Sequence, residues 1–162
     1  MIVKSHVKVA SLLAGLALAI PAADACTRIV YQGAGNDHFI GRSMDWESDT
    51  GTDLWAFPAG MTRDGGVGKG SLAWTSKHAS LIAGFYNVAA VDGINDAGLG
   101  ANMLYLAESD YGDDKTAGKP LMSIGAWLQY VLDNYGTVAE AVDALSKEPF
   151  VVVAPVLPDG QA

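Results

Sequence analysis

The apolar pattern of this chain changes period once, and that change limits what the chain can fold into. Up to residue 106, apolar residues come in short, alternating runs broken by glycine, asparagine and aspartate. From Ile124 onward they return at three- and four-residue intervals, through Trp127, Leu128, Val131, Leu132 and Tyr135. Alternation marks strands with one buried face, and three-four spacing marks an amphipathic helix. The expected strands are Thr27–Gln32, His38–Trp46, Leu54–Phe57, Ser80–Val91 and Gly100–Leu106. The cluster GAGND at 33–37 reads as the turn of a hairpin, 63–70 as a loop, and DGINDAGL at 92–99 as a second turn. The polar stretch 108–119 reads as an exposed loop. Thr137 and Glu140 have the spacing of a capping box that opens a second helix, with Val138, Ala141, Val142 and Leu145 expected to face inward. An apolar strand follows near 150. Strands, then two adjacent helices, then a strand predict a layered α+β fold, and no internal repeat is visible.

Residues 1–25 stand apart from this pattern. Lys4, His6 and Lys8 form a basic start, Val9 to Ile20 an apolar core, and Ala23-Asp24-Ala25 a small-residue cleavage site. These are the three parts of a secretory signal peptide. The expected protein is therefore exported, to a periplasm or the medium, with 26–162 as its mature domain. The segment 9–20 is too short to span a membrane, and no later run reaches span length. Apolar residues make up 50% and charged residues 17%, which fits a globular domain rather than a disordered chain. A net charge of −8 without any basic stripe argues against a nucleic-acid partner. A lone cysteine excludes an internal disulfide. The strand-and-loop ending at 149–162 lacks a closing helix or polar tail, and the expectation is a chain that lacks its remaining strands.

Several apparent motifs fail on inspection. GGVGKGS at 65–71 resembles a phosphate-binding loop, but position 63 is Arg where the first Gly belongs, and Gly70 follows Lys69 where Ser or Thr would meet a metal. Gly98-Leu99-Gly100 is followed by Met103 in place of a third glycine. His38 and His78 have no companions at ligand spacing, so no metal is expected, and no organic cofactor either. Both read as structural histidines. Asp110, Asp113 and Asp114 read as a solvated loop, and the four tryptophans as core and pocket walls.

Chemistry concentrates at Cys26. Cleavage after Ala25 would leave it as the first residue, with thiol and free α-amine on one side chain and backbone. A terminal amine has a reference pKa of about 7.7–8.0 against about 8.5 for a thiol, so it is able to act as the base near neutral pH. A lysine amine, at about 10.4, would need strong desolvation to do the same. Two blander readings stand beside this one: a lipidated cysteine, for which Ala23 and Asp24 are poor neighbours, and a small buried hydrophobe. In the expected second strand, Arg42 and Asp45 stand ready to favour the thiolate and to hold the amine. By spacing alone, a surface ion pair on an edge strand fits them equally.

Cys26-Thr27-Arg28 behind a leader, Gly41-Arg42-Ser43-Met44-Asp45-Trp46, and Asp92-Gly93-Ile94-Asn95-Asp96-Ala97-Gly98-Leu99 together resemble the choloylglycine hydrolase family, which contains penicillin V acylases and conjugated bile salt hydrolases. The resemblance runs in order over nearly all of 26–150. It implies an N-terminal-nucleophile hydrolase with an αββα sandwich, here only its N-terminal half. It implies that Cys26 attacks an amide carbonyl of a small-molecule substrate to give an acyl-thioester, with Arg42 and Asp45 as its active-site neighbours. A homo-oligomer, by resemblance a tetramer, is implied for the full-length protein. The family's further active-site Asn and Arg would lie beyond residue 162. Where bile salt hydrolases carry an Asn, this chain has Tyr105; with Trp46 it makes an aromatic substrate wall, as in the penicillin V acylases of the exported Gram-negative branch. Trp74 and Tyr86 are further candidates for that wall. The expected activity is hydrolysis of penicillin V or acyl homoserine lactone amides. The alternatives are conjugated bile salt hydrolysis and a non-catalytic, exported or lipid-anchored module of the same fold.

Overall fold

The structure is a computed structural model that describes residues 26–106, 109–112 and 118–154. The leader and the stretches 107–108, 113–117 and 155–162 lie outside the described residues, and with them the proposed cleavage site, Asp113 and Asp114.

β1 (Arg28–Gln32) and β2 (His38–Arg42) form the expected antiparallel hairpin, in register from Arg28 opposite Arg42 to Gln32 opposite His38. β2 ends four residues sooner than expected. The Ser43 N–H still donates to the Thr27 carbonyl (2.9 Å), but the Thr27 N–H turns to the Ser43 hydroxyl (3.2 Å). A side chain thus takes the place of the next backbone partner, and Asp45 and Trp46 leave the ladder.

The central sheet has the order β3–β6–β7–β8, all antiparallel, from Leu54–Phe57, Ser80–Phe85, Ala89–Asn95 and Gly100–Asn102. The expected single strand 80–91 is therefore two strands. The chain reverses through Tyr86 (φ 51°) and Asn87 (φ 55°), the left-handed values that a tight hairpin turn needs at its two central positions. Asn87 tolerates this backbone, but Tyr86 beside it carries no turn signal. The second expected turn shrinks to Asp96–Gly98, because Asp92–Asn95 completes β7.

α1 (Ile124–Asn134) and α2 (Val138–Leu145) form where the period predicts. Ser123 caps α1 by accepting from the Gly125 N–H. Thr137 and Glu140 make both halves of the capping box. α1 lies on the sheet through Leu128 and Leu132, which pack with Ile82 and Ala90. Gly93 permits this approach: a Cβ there would sit 2.8 Å from the side chains of Ile82 and Leu132 and from the Leu81 carbonyl. Leu99, Val131 and Ala141 form a second cluster that ties α2 to α1, with Leu145 against it. Val138 and Val142 do not face inward as expected; they are 67% and 61% exposed, because the side of α2 that meets α1 is that of Ala141 and Leu145.

Two small sheets complete the described fold. β4 (Thr62–Asp64), which takes in the first residues of the expected loop, pairs with β5 (Ala73–Thr75) beyond it, and β9 (Leu121–Ser123) pairs in parallel with β10 (Val151–Val153) around the helix pair. The Ser123 N–H donates to the Gly65 carbonyl at 2.7 Å, joining the two. The β1–β2 hairpin lies on the sheet face away from the helices, for a Cβ on Gly100 would meet Ile40 while one on Gly93 would meet Leu132. The order is helix layer, sheet, then the start of a second strand layer.

Candidate active site

Cys26 lies two residues before the first residue of β1 and is half-buried at the end of the hairpin. Because β1 and β2 are in register with Arg28 opposite Arg42, the hairpin brings the Arg42 guanidinium towards the thiol, close enough for its charge to favour the thiolate. Arg42 is itself held by the Val91 carbonyl of β7, which accepts from Nη1 at 3.2 Å. Burial pushes the Cys26 pKa up. That effect is outweighed by hydrogen bonds from the Asp45 and Tyr105 backbone N–H groups, then by the Arg42 charge and its hydrogen bond, so the thiol lies below its ordinary value. A thiolate is both the better nucleophile and the form these donors prefer.

Asp45 stands beside the start of the hairpin. Its carboxylate accepts from the Ser43 hydroxyl (3.4 Å), which in turn accepts from the Thr27 N–H, while its backbone N–H meets the sulfur. A relay of Asp45, Ser43 and Thr27 thus brackets the residue next to Cys26. In the sequence Ser43 is only a member of the Gly41–Trp46 motif; its place between Arg42 and Asp45 is the available signal for this bridging role.

A cavity of about 450 Å³ opens beside Cys26. Trp46 stands at its wall between Tyr105 and Phe85, edge-on to both, with centroids 5.1 and 5.2 Å away. Edge-to-face packing of this kind fixes each ring by its neighbour. Met44, Met103 and Ile124 add aliphatic surface. The sequence placed Trp46 and Tyr105 here but did not reveal that Tyr105 also presents its backbone to the sulfur, nor that Phe85 completes the row. Tyr86 packs on Phe85 from outside the cavity lining. Trp74 is elsewhere, a correction to the expected wall: its Nε1 donates to the buried Asp133 at 2.7 Å, and Arg63 approaches the same carboxylate at 2.9 Å.

The histidines take no part in the site. His38 lies exposed at the far end of β2, and His78 pairs with Asp96 at 2.9 Å at the foot of α1. Asp110 accepts from the Gly112 N–H in a loop. Among the described residues, no group of histidine, cysteine and acidic side chains has the arrangement to hold a metal. Asn95, buried in the β7–β8 turn, binds the Leu132 and Tyr135 carbonyls through Nδ2 and accepts from the Ala97 and Leu99 N–H groups. The DGIN segment is therefore a joint between sheet and helix.

Comparison with known proteins points the same way. The family of linear amide C-N hydrolases, choloylglycine hydrolase family, matches residues 26–162. A penicillin V acylase of Pectobacterium atrosepticum is 48% identical over 159 residues, which cover 93% of this chain and 42% of that protein. The structure of penicillin V acylase from Agrobacterium tumefaciens superposes with a TM-score of 0.74 at 53% identity, over 78% of this chain and 39% of that one. A conjugated bile acid hydrolase of Clostridium perfringens shares the fold, with a TM-score of 0.65 at 23% identity, over 85% of this chain and 43% of its own. The chain spans about two fifths of the length of these relatives. Its layers are the N-terminal part of the αββα sandwich of the N-terminal-nucleophile hydrolases.

Proposed function

The chain belongs to the choloylglycine hydrolase family of linear amide C-N hydrolases, and from that premise we propose that it carries the nucleophile of an exported amidase. The observation that carries the proposal is that Cys26, Arg42, Trp46 and Tyr105 line one cavity, in which Arg42 and the backbone N–H groups of Asp45 and Tyr105 favour the thiolate. Removal of residues 1–25 frees the Cys26 α-amine. That amine takes the thiol proton as sulfur attacks the substrate carbonyl, and returns it to the departing amine. The result is an acyl-thioester and a released amine; water then attacks the thioester, freeing the acid and restoring the thiol. Asp45, through its carboxylate and Ser43, fixes the first residues of the mature chain. The Tyr105 N–H, which also favours the thiolate, is the donor we assign to the oxygen on which charge develops, and such donors typically contribute about 10²–10³ in rate.

The substrate we propose joins an aryl-acyl or fatty-acyl group to an amine-bearing core, as in penicillin V or an acyl homoserine lactone. Trp46, Tyr105 and Phe85 favour an apolar acyl group by burial and stacking. The two relatives at 48% and 53% identity are penicillin V acylases. The test is kcat/KM of the full-length enzyme for penicillin V, a long-chain acyl homoserine lactone and glycocholate, side by side. One of the first two should be hydrolysed best; glycocholate as the best substrate would overturn the substrate class while leaving the mechanism standing.

A further inference from the structure

A second cavity, of about 550 Å³, borders the one that holds Cys26, and Gly66, Val88, Ala89 and Gly125 line both. The border is low. Gly66 and Gly125 have no side chains, and a Cβ on Gly125 would lie only 3.1 Å from that of Ala89 and 3.2 Å from the Val88 carbonyl. The first turn of α1 therefore rests directly on the start of β7, with Val88, 62% exposed, at one bank and Gly66 at the other.

Beyond the border the walls are aromatic. Trp55 and Phe57 lie parallel within 6°, with centroids 6.4 Å apart, and Trp74 lines the same space. Two of the polar side chains on it are tied to other groups of the protein. Arg63 lies 4.3 Å over the Phe57 ring and pairs with Asp133. Gln129 donates to the Ser80 hydroxyl (3.0 Å) and to Asp133 (2.8 Å). What the cavity offers a ligand is apolar surface.

We infer that this second cavity is a subsite for the distal part of a long, unbranched acyl chain, which crosses the Gly66–Gly125–Ala89 border from the Cys26 cavity. Short or compact acyl groups stop at Trp46 and Tyr105; longer ones gain the Trp55–Phe57 face. The inference rests on the amidase reading for the identity of the ligand, but its test does not depend on turnover.

The experiment is calorimetric binding of hexanoate and dodecanoate to the full-length protein carrying Cys26→Ser, with and without Trp55→Ala. Dodecanoate should bind at least roughly tenfold tighter than hexanoate, since each further buried methylene adds affinity. Trp55→Ala should weaken dodecanoate roughly fivefold or more and leave hexanoate unchanged. Ala126→Leu, which fills the second cavity instead of emptying it, should give the same selective loss and stands in if Trp55→Ala does not fold. Equal affinity for the two acids, or substitutions that change both alike or neither, would overturn the subsite. Failure of the amidase reading would show separately, as a chain-length-selective binder that hydrolyses no amide.

Discussion

At Cys26, three neighbours hold the thiol below its ordinary value against the opposing effect of burial. A lowered thiol pKa means that the thiolate, and with it the alkylation rate, persists at lower pH than in a free cysteine. The iodoacetamide rate of the folded protein should therefore reach half its maximum at a lower pH than that of the same cysteine in the unfolded chain. Arg42→Met removes one charge and one hydrogen bond from the sulfur, so the midpoint should move upward; an unchanged profile would show that Arg42 does not set the thiolate. Cys26→Ser should keep the thermal midpoint within a few degrees but lower kcat by about 10² or more, since a hydroxyl ionises far less readily than a thiol. Near-normal turnover in that variant would remove Cys26 as the attacking group. The candidate site was partly legible at this scale. Side chains with obvious chemistry stood in sequence motifs; the backbone donors of Asp45 and Tyr105 and the Val91 carbonyl behind Arg42 did not, because every residue has such groups and only the fold selects among them.

Among elements, the joint between β7, β8 and α1 sets the position of the site. Asn95 satisfies two carbonyls at the end of α1 and two N–H groups of its own turn. Asn95→Ala should cost about 2–4 kcal/mol in chemical denaturation, because several buried partners lose their bonds at once. Gly93→Ala should be similarly costly, as the added carbon meets the backbone oxygen of Leu81 as well as two core side chains. A loss under about 0.5 kcal/mol in both would contradict the tight contact between α1 and the sheet. The helices were readable because eleven and eight residues repeat one period and carry caps. β4, β5 and β9 were not, as three residues cannot establish a period. The β6–β7 reversal was hidden because Tyr86, beside Asn87, adopts left-handed backbone that sequence assigns to glycine.

For the whole molecule, the layers place Cys26 at one end of the hairpin, Arg42 on the adjoining strand, and an aromatic cavity beside both. The apolar hairpin residues Ile29, Tyr31 and Phe39 are more than 60% exposed in the chain as it stands, as are Leu54 of the sheet and the two outward valines of α2. The central claim is that the first residue of the processed chain is both nucleophile and base, and its most direct test is intact-mass measurement of the exported full-length protein, alone and quenched during turnover of penicillin V. The account predicts a chain that begins at Cys26, gains one phenoxyacetyl group on that residue during turnover, and is inactive when Ala25→Arg blocks its processing. An unprocessed chain that hydrolyses substrate as fast as the processed one, or an acyl group found on any other residue, would contradict it.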